Sequence, residues 1–290
     1  MAQLTLQQLR EFGITPDTNL GQHFLIDDNL LTVIGELCGL DAADVVYEPG
    51  AGVGVLTDYL AGRAAHVHAG ELDRRLEPAL AMLEQRHPNI SIIWGDAMAI
   101  DPSQLTPPPN KLVSNLPYHV AAPIIAEALQ HAPCLRGYCV MVQREVGDRM
   151  FALVGGANYG ALSVVVQALC TRTGTHKVSR SVFVPQPNVD SQLIAFTRDR
   201  SDVPDGDVVA FSSFVRSAFV HRRKTLSNNL LLLGYPRELV TQELARLGLK
   251  PAARPQELAP PQFAEIHGRL VASQGQTDGG ESVSDGGGAA

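Results

Sequence analysis

The chain has little cysteine, no long apolar run and no net positive charge, and each shortage narrows what it can be. Its four cysteines, Cys38, Cys134, Cys139 and Cys170, form neither a Cys-x-x-Cys pair nor a Cys/His cluster at zinc spacing. A disulfide framework and a metal site are therefore not expected, and the thiols read as reduced core residues. No stretch of the 290 residues approaches the roughly 20 continuous apolar residues that span a bilayer. The first residues lack a basic segment followed by an apolar run and a small-residue cleavage site. A cytoplasmic protein with no membrane partner is the expectation. The formal net charge of -7 argues against a nucleic-acid partner only on average, because binding depends on local patches. Acidic residues gather at Asp199, Asp202, Asp205 and Asp207 and in the tail at Asp278, Glu281 and Asp285, whereas Arg172, Lys177 and Arg180 share one segment and Arg222-Arg223-Lys224 another. A basic face on an acidic protein is compatible with that distribution.

From about residue 45, short β-type runs alternate with helical spacing, the pattern of a parallel sheet with crossover helices. Candidate strands are Val45-Tyr47, Val67-Glu71, Ile90-Trp94, Lys111-Ser114 and Tyr138-Gln143, with helices over Leu72-Gln85 and Pro123-Gln130. Two apolar runs, Ser163-Leu169 and Gln192-Arg198, enclose Pro185 and Pro187 and suggest a hairpin-like addition at one sheet edge. Ser201-Asp207 reads as a linker. Helical spacing at Phe211, Phe214, Val215, Ala218 and Phe219, then over Leu226-Leu233 and Arg237-Leu247, marks a small all-helical domain. The expected division is an N-terminal extension (1–20), an α/β domain (21–200), a helical domain (207–270) and a disordered tail (271–290) rich in Gly, Ser and Gln.

The first strand runs into Glu48-Pro49-Gly50-Ala51-Gly52-Val53-Gly54, a glycine-rich turn that lets a ligand approach the backbone closely. A dinucleotide fingerprint would need its third glycine at Val55, so nicotinamide cofactors are disfavoured. The alternating glycines behind Glu48 suit S-adenosyl-L-methionine, which has no pyrophosphate to cradle. Glu71, at the end of the next strand, is placed to accept hydrogen bonds from ribose hydroxyls. Asp73 is either a further polar contact or a helix cap. Asp96 either accepts the adenine amino group, with Met98 over the ring, or closes a turn.

The fourth strand ends at Asn115-Leu116-Pro117-Tyr118, which joins two hydrogen-bond acceptors, a rigid turn and an aromatic face. The N6 amine of adenine is a poor nucleophile because its lone pair is delocalised into the ring. The Asn115 side-chain oxygen and the Leu116 carbonyl can accept its two hydrogens and bias the nitrogen toward tetrahedral geometry. Pro117 would hold that carbonyl inward, Tyr118 would stack on the adenine, and Phe183 would cover the opposite face. No strong base is required, since the methylated aminium is acidic enough to lose its proton to water. The target adenine must be unstacked, which favours a loop or single strand. The basic triplet Arg222-Arg223-Lys224 is read either as phosphate contacts or as a solvated face. Asn228 and Asn229 read as helix-ending residues.

With the glycine loop, Glu71, Asp96 and Asn115-Tyr118 in this order, the chain resembles the KsgA/RsmA family of ribosomal RNA adenine dimethyltransferases. The likeness extends from Gly21-Gln22-His23-Phe24-Leu25 through Gln143-Arg144-Glu145-Val146, Asp148-Arg149, Tyr159-Gly160, Leu162-Ser163-Val164 and Val182-Phe183-x-Pro185-x-Pro187-x-Val189-Asp190-Ser191. It continues in Arg222-Arg223-Lys224-Thr225-Leu226-x-Asn228-Asn229-Leu230. The resemblance implies a Rossmann-like S-adenosylmethionine-dependent methyltransferase domain followed by a helical RNA- or ribosome-binding domain. The implied reaction places two methyl groups on N6 of each of two adjacent adenines near the 3′ end of small-subunit (16S) ribosomal RNA. The implied setting is a monomer acting on an immature 30S particle.

The resemblance further implies that Gln22, with His23 and Leu25, holds the methionine part of the cofactor. Glu48, Gly50, Gly52, Glu71, Leu72, Asp96, Ala97 and Asn115 would complete the cofactor site, and Arg222, Arg223 and Lys224 would bind RNA. His23 also suits a buried, hydrogen-bonded role and is given no catalytic one. Two departures bear on RNA contacts: Ala161 stands where the family often has Arg, and Asp17-Thr18 where its N-terminal segment is often basic. Rival readings are a large-subunit RNA dimethyltransferase of the antibiotic-resistance type, a DNA adenine methyltransferase and a non-catalytic ribosome-assembly factor. The Arg222-Leu230 block favours the small-subunit enzymes over the first. Leu116, where DNA enzymes usually carry Pro, weighs against the second, and the intact motifs weigh against the third.

Overall fold

A computed structural model describes residues 9–278. The described chain falls into two compact units, one running to Phe151 and resuming over Leu169–Ser201, the other made of Ala152–Ala168 and the chain from Asp202 onward. The units divide near residue 201, and the segment 152–168 groups with the helical unit rather than with the sheet.

The first unit is built on a seven-stranded sheet. Its strands are β2 (Val45–Pro49), β3 (His66–Glu71), β4 (Ile90–Trp94), β5 (Lys111–Asn115), β6 (Gly137–Gln143), β7 (Cys170–Val178) and β9 (Ser191–Arg198), in the order β4-β3-β2-β5-β6-β9-β7. The first five in that order are parallel, and β9 and β7 add antiparallel. Two short strands, β1 (Phe24–Leu25) and β8 (Phe183–Val184), pair with each other alone. Strand order reverses between β2 and β5, and open α/β sheets bind ligands at the carboxyl ends of the strands flanking such a reversal.

Helices α1 (Asp28–Leu37), α2 (Val55–Ala61) and α3 (Glu77–Arg86) bury Leu31, Ile34, Leu60, Leu80 and Leu83 in one cluster with Val46, Val67, Val113, Cys139 and Met141 of the sheet. Alternate residues point to the other face, where Tyr138 stacks on its register partner Phe196 with centroids 4.7 Å apart. Asp27 starts α1 by accepting from the Asn29 and Leu30 amides. Helix α4 (Ala121–His131) follows β5, and α5 (Arg144–Met150) packs on β6 and β9.

The hairpin expected from Ser163-Leu169 and Gln192-Arg198 is half right. Gln192-Arg198 is in β9, but Ala161–Leu169 is a helix, α6, and the antiparallel partner is β7. The β-branched run Val164-Val165-Val166 is buried throughout, so burial overrides its strand propensity. Strand β7 escaped notice because Cys170-Thr171-Arg172-Thr173-Gly174-Thr175-His176-Lys177-Val178 is mostly exposed and polar, as a sheet edge often is.

In the second unit, α7 (Val208–Ala218), α8 (Leu226–Leu230), α9 (Arg237–Arg246) and α10 (Pro260–Asp278) surround Phe211, Phe214, Val215, Leu244, Phe263 and Ile266. Helix α10 carries the chain through 271–278, which was expected to be disordered; the rest of that expected tail, 279–290, lies outside the described residues, as does 1–8 of the N-terminal extension.

Candidate cofactor and amine site

The carboxyl ends of β2, β3, β4 and β5 converge on a cavity of about 210 Å³. All eleven residues expected to hold a cofactor line it: Gln22, His23, Leu25, Glu48, Gly50, Gly52, Glu71, Leu72, Asp96, Ala97 and Asn115. Met98 does not; it borders a neighbouring depression.

The glycine turn leaves β2 with positive φ at Gly50 and Gly52, a conformation that L side chains rarely adopt. A Cβ on Gly50 would stand 3.3 Å from Pro117 Cδ, and one on Gly52 would stand 3.2 Å from the Phe24 ring. The amides of Gly50 and Ala51 donate to the Gly70 carbonyl, at 2.8 and 3.0 Å, and that of Gly52 donates to Glu71 Oε2 at 2.7 Å. These three amides are thus spent on β3 rather than offered to a ligand, unlike the donors of a phosphate-cradling loop.

Glu71 differs from its expectation in the same sense. Besides Gly52, it accepts from the amides of Leu72 and Asp73 at 2.9 and 2.8 Å. Burial raises its pKa above the ordinary carboxylate range against the pull of those three donors. Oε2 accepts one of these bonds and Oε1 two, which leaves Oε2 lone-pair capacity for a hydroxyl. Glu48 is almost fully buried, accepts from Thr57 Oγ1 at 2.7 Å, and is pushed up to about 8 by burial and, less, by the Glu71 charge.

Gln22 lines the cavity, but its amide is already engaged. Its Oε1 accepts from the Asp17 amide and its Nε2 donates to Asp73 Oδ2, both at 2.8 Å. Asp73 also caps the turn at Arg74–Leu76 and binds Arg75 at 2.6 Å, which holds its carboxyl down at about 2. Asp96 Oδ1 closes a turn by accepting from the Met98 amide at 2.9 Å, and the residue is exposed on the cavity wall.

The Asn-Leu-Pro-Tyr segment is held from every side. Asn115 Nδ2 donates to the His23 carbonyl at 3.0 Å. A carbonyl can only accept, so this bond fixes which end of the amide is which and leaves Oδ1 as the acceptor for a ligand. Leu116 is buried and its amide donates to the Met141 carbonyl at 3.2 Å. The Pro117 ring lies against Gly50 and Gly21, the second also at positive φ. His23 Nδ1 lies 2.7 Å from the Pro185 carbonyl, and its ring stacks on Tyr118 with centroids 5.3 Å apart. The Tyr118 hydroxyl is 2.6 Å from Ser191 Oγ.

Phe183 is the exception. It is 2% exposed, lies in the core cluster and pairs with Leu25, so its ring presents no face to a base. Two contributors were not foreseen. Ser191 was noted only within a longer motif, and His119, on the cavity wall beside Gly21, carried no signal beyond following Tyr118.

In the second unit, Arg222, Arg223 and Lys224 are exposed, but their roles diverge. Arg222 Nη2 donates to the carbonyls of Ala157 and Tyr159 at 3.1 and 2.9 Å, tying the segment 152–168 to the turn before α8. Asn229 does not end a helix; it is fully buried inside α8 and donates to the carbonyls of Ala218 and His221 at 2.6 and 3.1 Å.

Residues 15–270 match the family model described as ribosomal RNA adenine dimethylase. The chain is 41% identical over 255 residues to a ribosomal RNA small subunit methyltransferase A of Rubrobacter xylanophilus, covering 88% of this chain and 95% of that protein. It is 39% identical to the protein of the same name from Moorella thermoacetica, covering 90% and 95%. Among solved structures, the 23S rRNA methyltransferase ErmE is similar at 27% identity and a TM-score of 0.64, covering 86% of this chain and 99% of that one. A dimethyladenosine transferase from Plasmodium falciparum shares the fold at 24% identity and a TM-score of 0.72, covering 87% and 98%. With the family model spanning nearly all the described residues, the chain belongs to the ribosomal RNA adenine dimethylase family.

Proposed function

We propose that the protein uses S-adenosyl-L-methionine to place two methyl groups on N6 of each of two adjacent adenines near the 3′ end of small-subunit (16S) ribosomal RNA, acting as a cytoplasmic monomer on an immature 30S particle. The observation that carries this reading is the Asn115 amide, whose nitrogen is committed to the His23 carbonyl so that its oxygen is the acceptor at the cavity. The names of relatives at 36–41% identity favour the small subunit over the large.

The cavity suits the cofactor on its own chemistry. One wall is a turn whose Gly50, Ala51 and Gly52 amides are already spent on β3, and Glu71 retains acceptor capacity beside it. When bound, S-adenosylmethionine supplies an electrophilic methyl on a sulfonium. Glu71 would hold its ribose and Asp96 its adenine, while Gln22 acts indirectly by fixing Asp73 and the Asp17 backbone. Asn115 Oδ1 and the Leu116 carbonyl accept the hydrogens of the target amine and localise its lone pair. Tyr118 offers a ring for the base, its other face backed by His23. Phe183 has no part in this clamp. Rate enhancement rests on alignment of amine and methyl donor, and the proton leaves to water.

The test is incubation of the protein with labelled S-adenosylmethionine and small subunits lacking adenine dimethylation, beside large-subunit RNA and DNA. Label in two adjacent adenines of the small subunit is expected. Label confined to large-subunit RNA or DNA overturns the reading.

A further inference from the structure

A further depression, of about 360 Å³, lies in the first unit where α5 packs on β9, with β7 beside it. Lys177 and Gln192 are register partners on adjacent strands, so their side chains stand on one face of the sheet. Arg144 and Asp148 are four residues apart on α5 and share its side toward the depression. Asp190 closes the rim, its carbonyl accepting from the Arg144 amide at 3.1 Å. The lining therefore presents two cations, two carboxylates and an amide, with no aromatic ring.

Two observations make this more than a charged surface. Gln192 Oε1 is buried and accepts no hydrogen bond, which is costly unless a ligand or water supplies a donor. Its place against α5 depends on Gly147, where a Cβ would come within 2.5 Å of that oxygen. The second observation is Ser191, which also lines the depression and whose hydroxyl is the partner of Tyr118. One residue thus connects this depression to the ring assigned to the target adenine.

We infer that the depression is a subsite for the nucleotide adjoining the target adenine, its phosphate held by Arg144 and Lys177 and its base edge read by Gln192 and Asp148. The assignment rests on the proposed RNA substrate and deepens it. A lone phosphate site would need neither the buried acceptor nor the carboxylates, and a stacking platform would need an aromatic ring. Mixed donors and acceptors beside two cations suit a whole nucleotide. Such a subsite would set the register of the strand, so that one of two adjacent adenines is held while the other reacts.

The test is binding of undermethylated small subunits to the full chain across a salt series, with methyl transfer measured in parallel. Lys177→Ala and Arg144→Ala are each expected to weaken binding about three- to tenfold and to lower the slope of log affinity against log salt by about 1. Lys177→Arg restores the slope. Affinity for S-adenosylhomocysteine stays at the wild-type value, which separates a lost RNA contact from a damaged fold. Wild-type slopes and affinities in both alanine variants overturn the subsite. If the wild-type protein binds subunits with a Lys177-dependent slope yet transfers no methyl, the proposed function fails and the assignment to a nucleotide beside a target adenine fails with it, while the depression remains an RNA contact.

Discussion

The carboxyl edge of the sheet and the basic turn ahead of α8 are both dense in polar motif residues, but their internal hydrogen bonds have opposite consequences. At the sheet edge, internal bonds orient groups and leave a defined remainder: Asn115 spends its nitrogen and keeps its oxygen, and Glu71 accepts three amides and retains capacity on Oε2. In the turn and the helix it leads into, internal bonds engage part of the groups that would have met a ligand. Arg222 donates to two carbonyls, and Asn229 spends its nitrogen on two more. A motif offers to a ligand only the hydrogen-bonding capacity that the fold has not used, and that remainder has to be counted atom by atom.

The largest expected effect tests the sheet edge. Asn115→Ala should lower kcat for methyl transfer by about 10²–10³, the scale of removing one oriented polar group from a transition state. Binding of small subunits by filter assay should be retained. Full activity in this variant would break the comparison at its first term, because the acceptor singled out by the His23 bond would then do nothing. Gly50→Ala comes next. It places a side chain at φ +79, where an L residue is strained by about 1–2 kcal/mol, and sets a Cβ 3.3 Å from Pro117. Calorimetric titration should show weaker cofactor binding together with a lower Tm.

Much of this edge was legible in the sequence because its residues follow strand ends, and strand ends are marked by apolar runs stopping at Gly, Pro or Asn. Thus β2, β3, β4, β5 and β6 were placed to within a residue or two, and every expected cofactor residue lines one cavity. What failed was what depends on packing between distant segments. Phe183 looks like any exposed ring in a Pro-rich stretch until β8 pairs with β1 and buries it. Val164-Val165-Val166 reads as a strand until burial on all sides makes it helical. Arg222 differs from Arg223 only through carbonyls some 60 residues earlier, as its two bonds span 65 and 63 positions. No local pattern encodes such a partner.

The turn supplies the middle of the range. Asn229→Ala removes two bonds from a fully buried amide, to the carbonyls of Ala218 and His221, of which the second keeps the Lys224 amide as a donor; a loss of about 1–3 kcal/mol in unfolding free energy is expected. Arg222→Ala should lower Tm while leaving the salt slope of subunit binding nearly unchanged. Lys224→Ala should leave Tm alone and reduce that slope by about 1. The reverse assignment, with Arg222 setting the slope and Lys224 the Tm, would show that the Ala157 and Tyr159 bonds are incidental to the role of Arg222.

The last test concerns Glu48, a carboxyl almost fully buried at the same sheet edge. Burial raises its folded-state pKa from 4.5 to about 8, even with the Thr57 hydroxyl donating to it. The folded protein therefore binds more protons than the unfolded chain between those values, and stability falls as pH rises across that window. The contribution is fully present below about 4.5 and is lost as pH climbs through about 8. Glu48→Gln keeps the shape and removes the titration, so its Tm should fall less between those limits than that of the wild-type protein. Parallel Tm curves for the two would mean that Glu48 is ionised in the folded state throughout. It would then join Glu71 as an available carboxylate at the cavity, and the sheet edge would carry one more charge for a cationic ligand than burial allows.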